Sequence, residues 1–516
     1  MAASSVFEAR WRQYGREVET LYDRLYLGDR QSLAALKQML QSRFEERRPD
    51  MREIDRKRRP GWLSGDPGLC IACSARENTG IFLKLGETAP EYAAAHASAL
   101  RLSHVWDGDN AFLGVPEAQG GEAGLAGLAQ ICRQQNMLLG VEVEMDATSR
   151  EHPWMQAGRT ERYCAYATPD LPNLCEHGLE GSRGHFVREN GMYYMCQLQK
   201  GRYDLNYQNP DVLASVLDFL LHLCNLGVDI LFLKHVSVLC KIPGTACACL
   251  PETAALLRLL RLCMAMTAPA AAVVLDTEEM RWSEGIADGV EGARWIPTLW
   301  HTLATGNTAL LKEETAWRLE YPVPAVCRSL FGENGVSWDL DYAFLSRMGW
   351  QERPHRQYLN DFFAGRWPGE KTEGRDDGEG GIQGSALQLC GGDSGKLMLL
   401  CALMLCLGEM GSMDAEVFCE LKEPVQKLLA LLRPLRAFSG KAARKLVDTE
   451  TDDVLVLRRD CEGETLYALF HFGTCARQLS LDGADRARDL WTGEDIPLDS
   501  VRLEPRCFRL LETTEG

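Results

Sequence analysis

GVDILFLKHV, residues 227–236, is the stretch on which the fold is read. It is short, apolar through Ile230–Leu233 and preceded by a glycine, the pattern of a strand buried on both faces. The residues before it, 213–226, are leucine-rich and helical in spacing, so a helix delivers the chain into the strand. Similar runs recur along the sequence: LCIACS (69–74), ALRLSHV (99–105), LLGVEVEM (138–145) and AAAVVL (270–275). Strands separated by helices pair in parallel through right-handed crossovers, and repetition of that unit predicts a (β/α)8 TIM barrel of the α/β class.

The chain has 516 residues, too many for one ordinary core of roughly 100–200 residues but enough for a barrel of about 250 with appended modules. From Phe7 to Met51 apolar residues repeat at helical spacing, with Asp29 or Ser32 as a cap, which predicts an N-terminal helical domain over residues 1–66. The barrel is expected over 67–440, interrupted after its third strand by a small inserted domain at 150–203. The charged, glycine-rich tract PGEKTEGRDDGEGG (368–381) reads as a mobile loop. Alternating strands and turns after a helix that follows Val425 predict a C-terminal antiparallel β-sandwich over 441–516.

Fifty-six Lys plus Arg stand against 73 Asp plus Glu, a net charge of −17. Phosphate contacts need clustered positive charge, so neither nucleic acid nor an anionic membrane is an expected partner. The greasiest run, 397–407, is about 11 residues, short of the roughly 20 that cross a bilayer core. Nineteen cysteines are scattered through hydrophobic runs, and MAASSVFEARWRQ lacks a signal peptide's apolar segment, so a reducing, cytoplasmic location with buried thiols is expected. Cys70 and Cys73 have CxxC spacing and Cys247 and Cys249 lie close together, but neither pair has the second pair a four-ligand zinc site requires. No metal and no cofactor is expected.

Several segments resemble glycoside hydrolase family 13, the alpha-amylase superfamily, and within it the amylosucrases. These are YDLNYQNPDVL (203–213) leading to GVDILFLKHV, GTACACLPETAALLRLLR (244–261), WHTLATGN (300–307), TAW (315–317), HRQYLNDFFAGRW (355–367), GSALQL (384–389), LYALFHFG, DLWTGE and LEPRCFRLLE (503–512), in the family's order. The resemblance implies the barrel, the helical N-terminal domain, the inserted domain and the closing β-sandwich. It also implies a retaining glycosidase site in which one carboxylate attacks the sugar and a second, about 5 Å away, donates and removes a proton.

Position by position, that site is degenerate. Lys234 stands in the nucleophile position, and Phe232 replaces the arginine that keeps the nucleophile ionised. At the third strand Glu142 is followed by Asp146 and Ala147, without the sugar-binding histidine. Pro324 and Ala325 occupy the third-carboxylate region, and either Asp276 or Glu278 fills the acid/base slot. His235 and His104 end apolar strands and read as structural histidines. Trp106 and Phe112 read as packing residues, and the eighth strand, around LCLGEMG (405–411), is shortened.

These substitutions predict a catalytically inactive pseudoenzyme kept for binding, scaffolding or regulation in carbohydrate metabolism. Its ligand would be an α-glucan or sucrose-like sugar, bound weakly or not at all, and its partner another protein or a second copy of the chain. The alternative is an active amylosucrase-type transglucosylase or α-glucosidase that recruits Glu144, Asp146 or Glu278 in place of the family carboxylates. A third reading is Schiff-base chemistry at Lys234. It is opposed by the expectation that Lys234 pairs with Asp276 or Asp146.

Overall fold

The computed structural model describes residues 3–58, 63, 68–76, 78–107, 109–155, 163, 185–189, 191–198, 201–242, 244–277, 285–292, 294–320, 325–331, 335–377, 380–408 and 410–514. Eight strands close into a parallel barrel: β1 (Gly68–Ser74), β2 (Ala99–Ser103), β3 (Leu138–Glu144), β4 (Ile230–Lys234), β5 (Ala272–Asp276), β6 (Gly289–Glu291), β7 (Ala325–Ser329) and β8 (Met410–Asp414). β3 and β4 pair in register from Gly140 opposite Ile230 to Glu144 opposite Lys234, so their C-terminal residues emerge side by side. A Cβ on Gly140 would stand 2.6 Å from the Phe232 ring, so glycine is what lets that ring lie flat on β3.

The geometry corrects three expectations. Residues 405–407 end the helix Ser394–Leu407, and the eighth strand is instead MGSMD, paired with β1 over five residues. The seventh strand begins at Ala325, so that residue opens the strand instead of lying in a third-carboxylate region beyond it. Part of the tract 368–381 is ordered: Arg375–Asp376 pairs with Ile382–Gln383, Thr372 is buried, and Glu370 accepts from Lys396 Nζ at 2.7 Å and Arg506 Nη2 at 3.0 Å.

The chain divides into two compact units. The first holds residues 1–62, 73–90 and 99–291. In it the helix Ala3–Tyr26 lies against Pro251–Thr267, Arg30–Glu46 lies against both Pro210–Leu226 and Pro251–Thr267, and Pro49–Lys57 follows. Asp29 caps the second helix by accepting from Ser32 N–H at 3.1 Å. Arg47 is buried in an ion pair with Asp55 at 2.5 Å and donates to Cys224 O at 3.1 Å, fastening these helices to the one that precedes β4. That helix is bounded by the Asn209 cap and by Gly227 in the left-handed region at φ 116°. Within the inserted segment Ala147–Ser149 pairs with Arg202–Asp204, and His185–Glu189 with Met192–Cys196.

The second unit holds residues 63–72, 91–98 and 292–516. Its C-terminal part is a six-stranded antiparallel sheet and a two-stranded sheet that enclose an apolar core including Val456, Leu469, Leu503 and Leu511. The helix Ser394–Leu407 is apolar on every side and buried from Leu397 to Leu407. No helix among the described residues is long and apolar enough to cross a membrane.

Candidate functional site

Parallel barrel strands present their working side chains at their C-terminal ends. β4, β5 and β6 end in Lys234, Asp276 and Glu291. Lys234 Nζ lies 3.3 Å from Asp276 Oδ2 and 3.4 Å from Glu291 Oε2. Of the two carboxylates weighed for Lys234, Asp276 is the one within reach. Asp146 belongs to a different pair, with its Oδ1 2.8 Å from His235 Nδ1.

A second cation sits beside the first. Arg101, buried on β2, hydrogen-bonds Glu142 through Nε and Glu291 through Nη1, and its Nη2 donates to Glu291 Oε2 at 3.1 Å. Its guanidinium lies 4.1 Å from the centroid of the Phe232 ring, a cation–π contact. With Phe232 on β4, the guanidinium at this place comes from β2 instead. Further out, Glu144 Oε2 accepts from Arg202 Nη1 at 2.7 Å.

Glu142, Glu144, Asp146, Asp276 and Glu291 thus each face a basic side chain. Burial alone would push the Glu291 carboxyl up, but attraction to Arg101 and Lys234 outweighs it and holds the group down at about 2. Burial would likewise depress Lys234, yet Glu291 and Asp276 raise it above the ordinary lysine value. An ammonium so held cannot serve as the neutral amine of Schiff-base chemistry. His235, lowered by burial but raised further by its bond to Asp146, reaches about 9 and is an imidazolium at neutral pH.

The remaining positions fall as follows. Ala147 is buried at the start of the strand paired with Asp204, and next to it Thr148 carries a buried hydroxyl without a hydrogen-bond partner among the described residues. Ala325 is buried at the first residue of β7, the end remote from a strand's working end, so it is not in the third-carboxylate place; β7 ends at Ser329. Glu278 and Pro324 lie outside the described residues. His104 Nδ1 is 3.2 Å from Ser74 Oγ. Phe112 stacks on Trp154 at 5.9 Å and, like Trp106, meets Phe219 edge-on, which makes both packing residues. Among the described residues no group of three or more His, Cys, Asp or Glu is arranged to hold a metal ion.

Arg101 and Glu291 were missed by sequence reasoning. An arginine in the middle of ALRLSHV was a legible signal, because a charge in a strand buried along its whole length needs a partner. Glu291 gave no such signal, for its strand is only three residues long.

The closed parallel barrel followed by an antiparallel β domain is a fold the chain shares with solved sugar-processing enzymes. Isomaltulose synthase from Klebsiella sp. LX3 superposes with a TM-score of 0.65 at 11% identity, covering 88% of this chain and 100% of that one. An alpha-glucosyl transfer enzyme gives 0.64 at 13%, with the same coverages. Sucrose 6F-phosphate phosphorylase from Thermoanaerobacter thermosaccharolyticum gives 0.61 at 14%, covering 85% and 98%. In sequence the chain is 29% identical over 131 residues to trehalose synthase from Pimelobacter sp. (strain R48), 23% of each chain. It is 35% identical over 74 residues to glucosylglycerate phosphorylase from Escherichia coli (strain K12), 14% of this chain and 13% of that one. The matched stretch spans about a quarter or less of these curated relatives. No protein-family profile matches the chain.

Proposed function

We propose that this chain is an amylosucrase-like member of the alpha-amylase superfamily that no longer transfers or hydrolyses glucosyl units, and that serves carbohydrate metabolism as a binding, scaffold or regulatory protein. One observation carries the reading: the Lys234 ammonium sits between Asp276 and Glu291 at 3.3 and 3.4 Å. A glucosyl transition state is oxocarbenium-like and positive. Held between the two carboxylates, the ammonium already neutralises Asp276 and Glu291, which leaves them little net attraction for such a charge. Lys234 itself offers no anionic oxygen to attack the sugar. The double displacement also needs a carboxylic acid at the acid/base slot, and there Asp276 is paired with the Lys234 ammonium at 3.3 Å.

The active alternative requires Glu144 or Asp146 to shed its basic partner when sugar arrives, or Glu278 to take up the work. Incubation with sucrose and with an aryl α-glucoside separates the two. The proposal expects no fructose and no chromophore above the uncatalysed background. Turnover that disappears in Asp276→Asn would sink it.

A further inference from the structure

Far along the chain from Lys234, the helix Glu352–Phe363 and the hairpin formed by Arg375–Asp376 and Gly381–Gln383 border a groove of about 440 Å³. That volume falls within the range of roughly 300–1,000 Å³ that holds small molecules. Asn360, 6% exposed, lies in its wall. The indole N–H of the fully buried Trp338 donates to Asn360 Oδ1 at 2.6 Å. An indole can only donate, so the amide oxygen is fixed on the Trp338 side and the NH2 group is left for the groove. That NH2 has no partner among the described residues and is free to meet a ligand in the groove. Stacking of Trp338 on Phe363, with centroids 5.7 Å apart, holds the arrangement.

Most of the other polar lining groups are already paired. Arg356 is engaged by Glu352 at 3.0 Å, Gln357 donates to Asp361 Oδ1 at 3.1 Å, and Asp376 accepts from Arg366 at 3.3 Å. Arg353, exposed on the same helix, has no partner among the described residues. The groove therefore offers two unused donors, one of them a full positive charge, beside carboxylates that retain lone pairs for hydroxyl groups. We infer that this groove is a ligand site for a small polyhydroxylated anion, of the sugar phosphate or sugar acid class, whose anionic group meets Arg353 and whose ring or hydroxyl oxygen meets the Asn360 NH2. It shares no residue with the Lys234 cluster and does not depend on whether that site is active.

Titration calorimetry on the full chain with glucose 6-phosphate, glucose and inorganic phosphate tests it. Saturable binding of glucose 6-phosphate at least tenfold tighter than of glucose or phosphate is expected, falling tenfold or more in both Arg353→Ala and Asn360→Asp. The aspartate keeps an acceptor for Trp338 while replacing the donor, and Arg353→Ala, at an exposed position, carries the test if Asn360→Asp impairs folding. Absence of binding by all three probes, binding of phosphate as tight as of its sugar ester, or affinity unchanged by the substitutions overturns the assignment.

Discussion

Glu291 is the residue on which the barrel mouth turns, because it neutralises two cations from different strands, Arg101 of β2 and Lys234 of β4. Removing one partner of a buried charge cluster leaves the others uncompensated, which commonly costs about 3–5 kcal/mol. Glu291→Gln should therefore lower the unfolding free energy measured by urea titration by an amount in that range, whereas Glu144→Gln, in a pair with 28% and 26% of the two side chains exposed, should cost under about 1 kcal/mol. Equal effects of the two substitutions would mean that the inner cluster is no tighter than a surface pair. Lys234 and Asp276 were legible as a pair because each ends an apolar run whose direction is evident from sequence. Their third member was not, since no local pattern tells which distant strand end will stand beside them.

Elements were legible in proportion to their apolar continuity. The first five barrel strands read directly as β-branched or leucine-rich runs. β6 is three residues long, β7 contains Arg328 and β8 is MGSMD, so none presents the pattern of a buried strand, and closure comes from the barrel as a whole. Helix contacts were hidden in the same way. His301 of Trp295–Thr305 and His355 of Glu352–Phe363 are both buried, with Nδ1 of one 3.2 Å from Nε2 of the other and Tyr342 Oη 3.3 Å from His355 Nδ1. Burial, helped by the neighbouring histidine, lowers His301 to about 3, and burial with the Arg356 charge lowers His355 to about 4. An unfolded chain binds these protons near pH 6.5, so the pair favours folding fully above that pH and loses its contribution as pH falls toward 4. The loss by pH 4.5 is roughly 2–3 kcal/mol per histidine. Melting temperatures taken from pH 7.5 to 4.5 should fall less steeply in His355→Gln than in the unmodified chain, and parallel curves would contradict the assignment.

At the scale of the molecule, the borders placed at 66/67 and 440/441 follow shifts in composition, while compactness follows contacts that composition does not reveal. The second unit takes in the last barrel strands together with everything after residue 440. Its C-terminal sheet is bound into what precedes it. Arg459, 1% exposed, donates to Cys406 O at 2.8 Å at the end of the apolar helix, and to Ala437 O at 2.8 Å and Phe438 O at 3.1 Å. Thr308 N–H, at the start of another helix, donates to Asp452 O at 2.6 Å, and Lys312 Nζ donates to Thr449 Oγ1 at 2.9 Å and Thr451 O at 2.8 Å. A helix apolar on all sides needs cover on all sides, and part of the cover for Ser394–Leu407 is the sheet. Residues 1–440 alone should accordingly be insoluble or rapidly degraded by protease, and in the full chain Arg459→Leu should strand several carbonyls at once and cost several kcal/mol, roughly 1–3 for each one left without a donor. Circular dichroism melts and limited proteolysis read both effects. A soluble 1–440 fragment with a cooperative melt would show instead that the barrel is self-sufficient and the sheet an appendage.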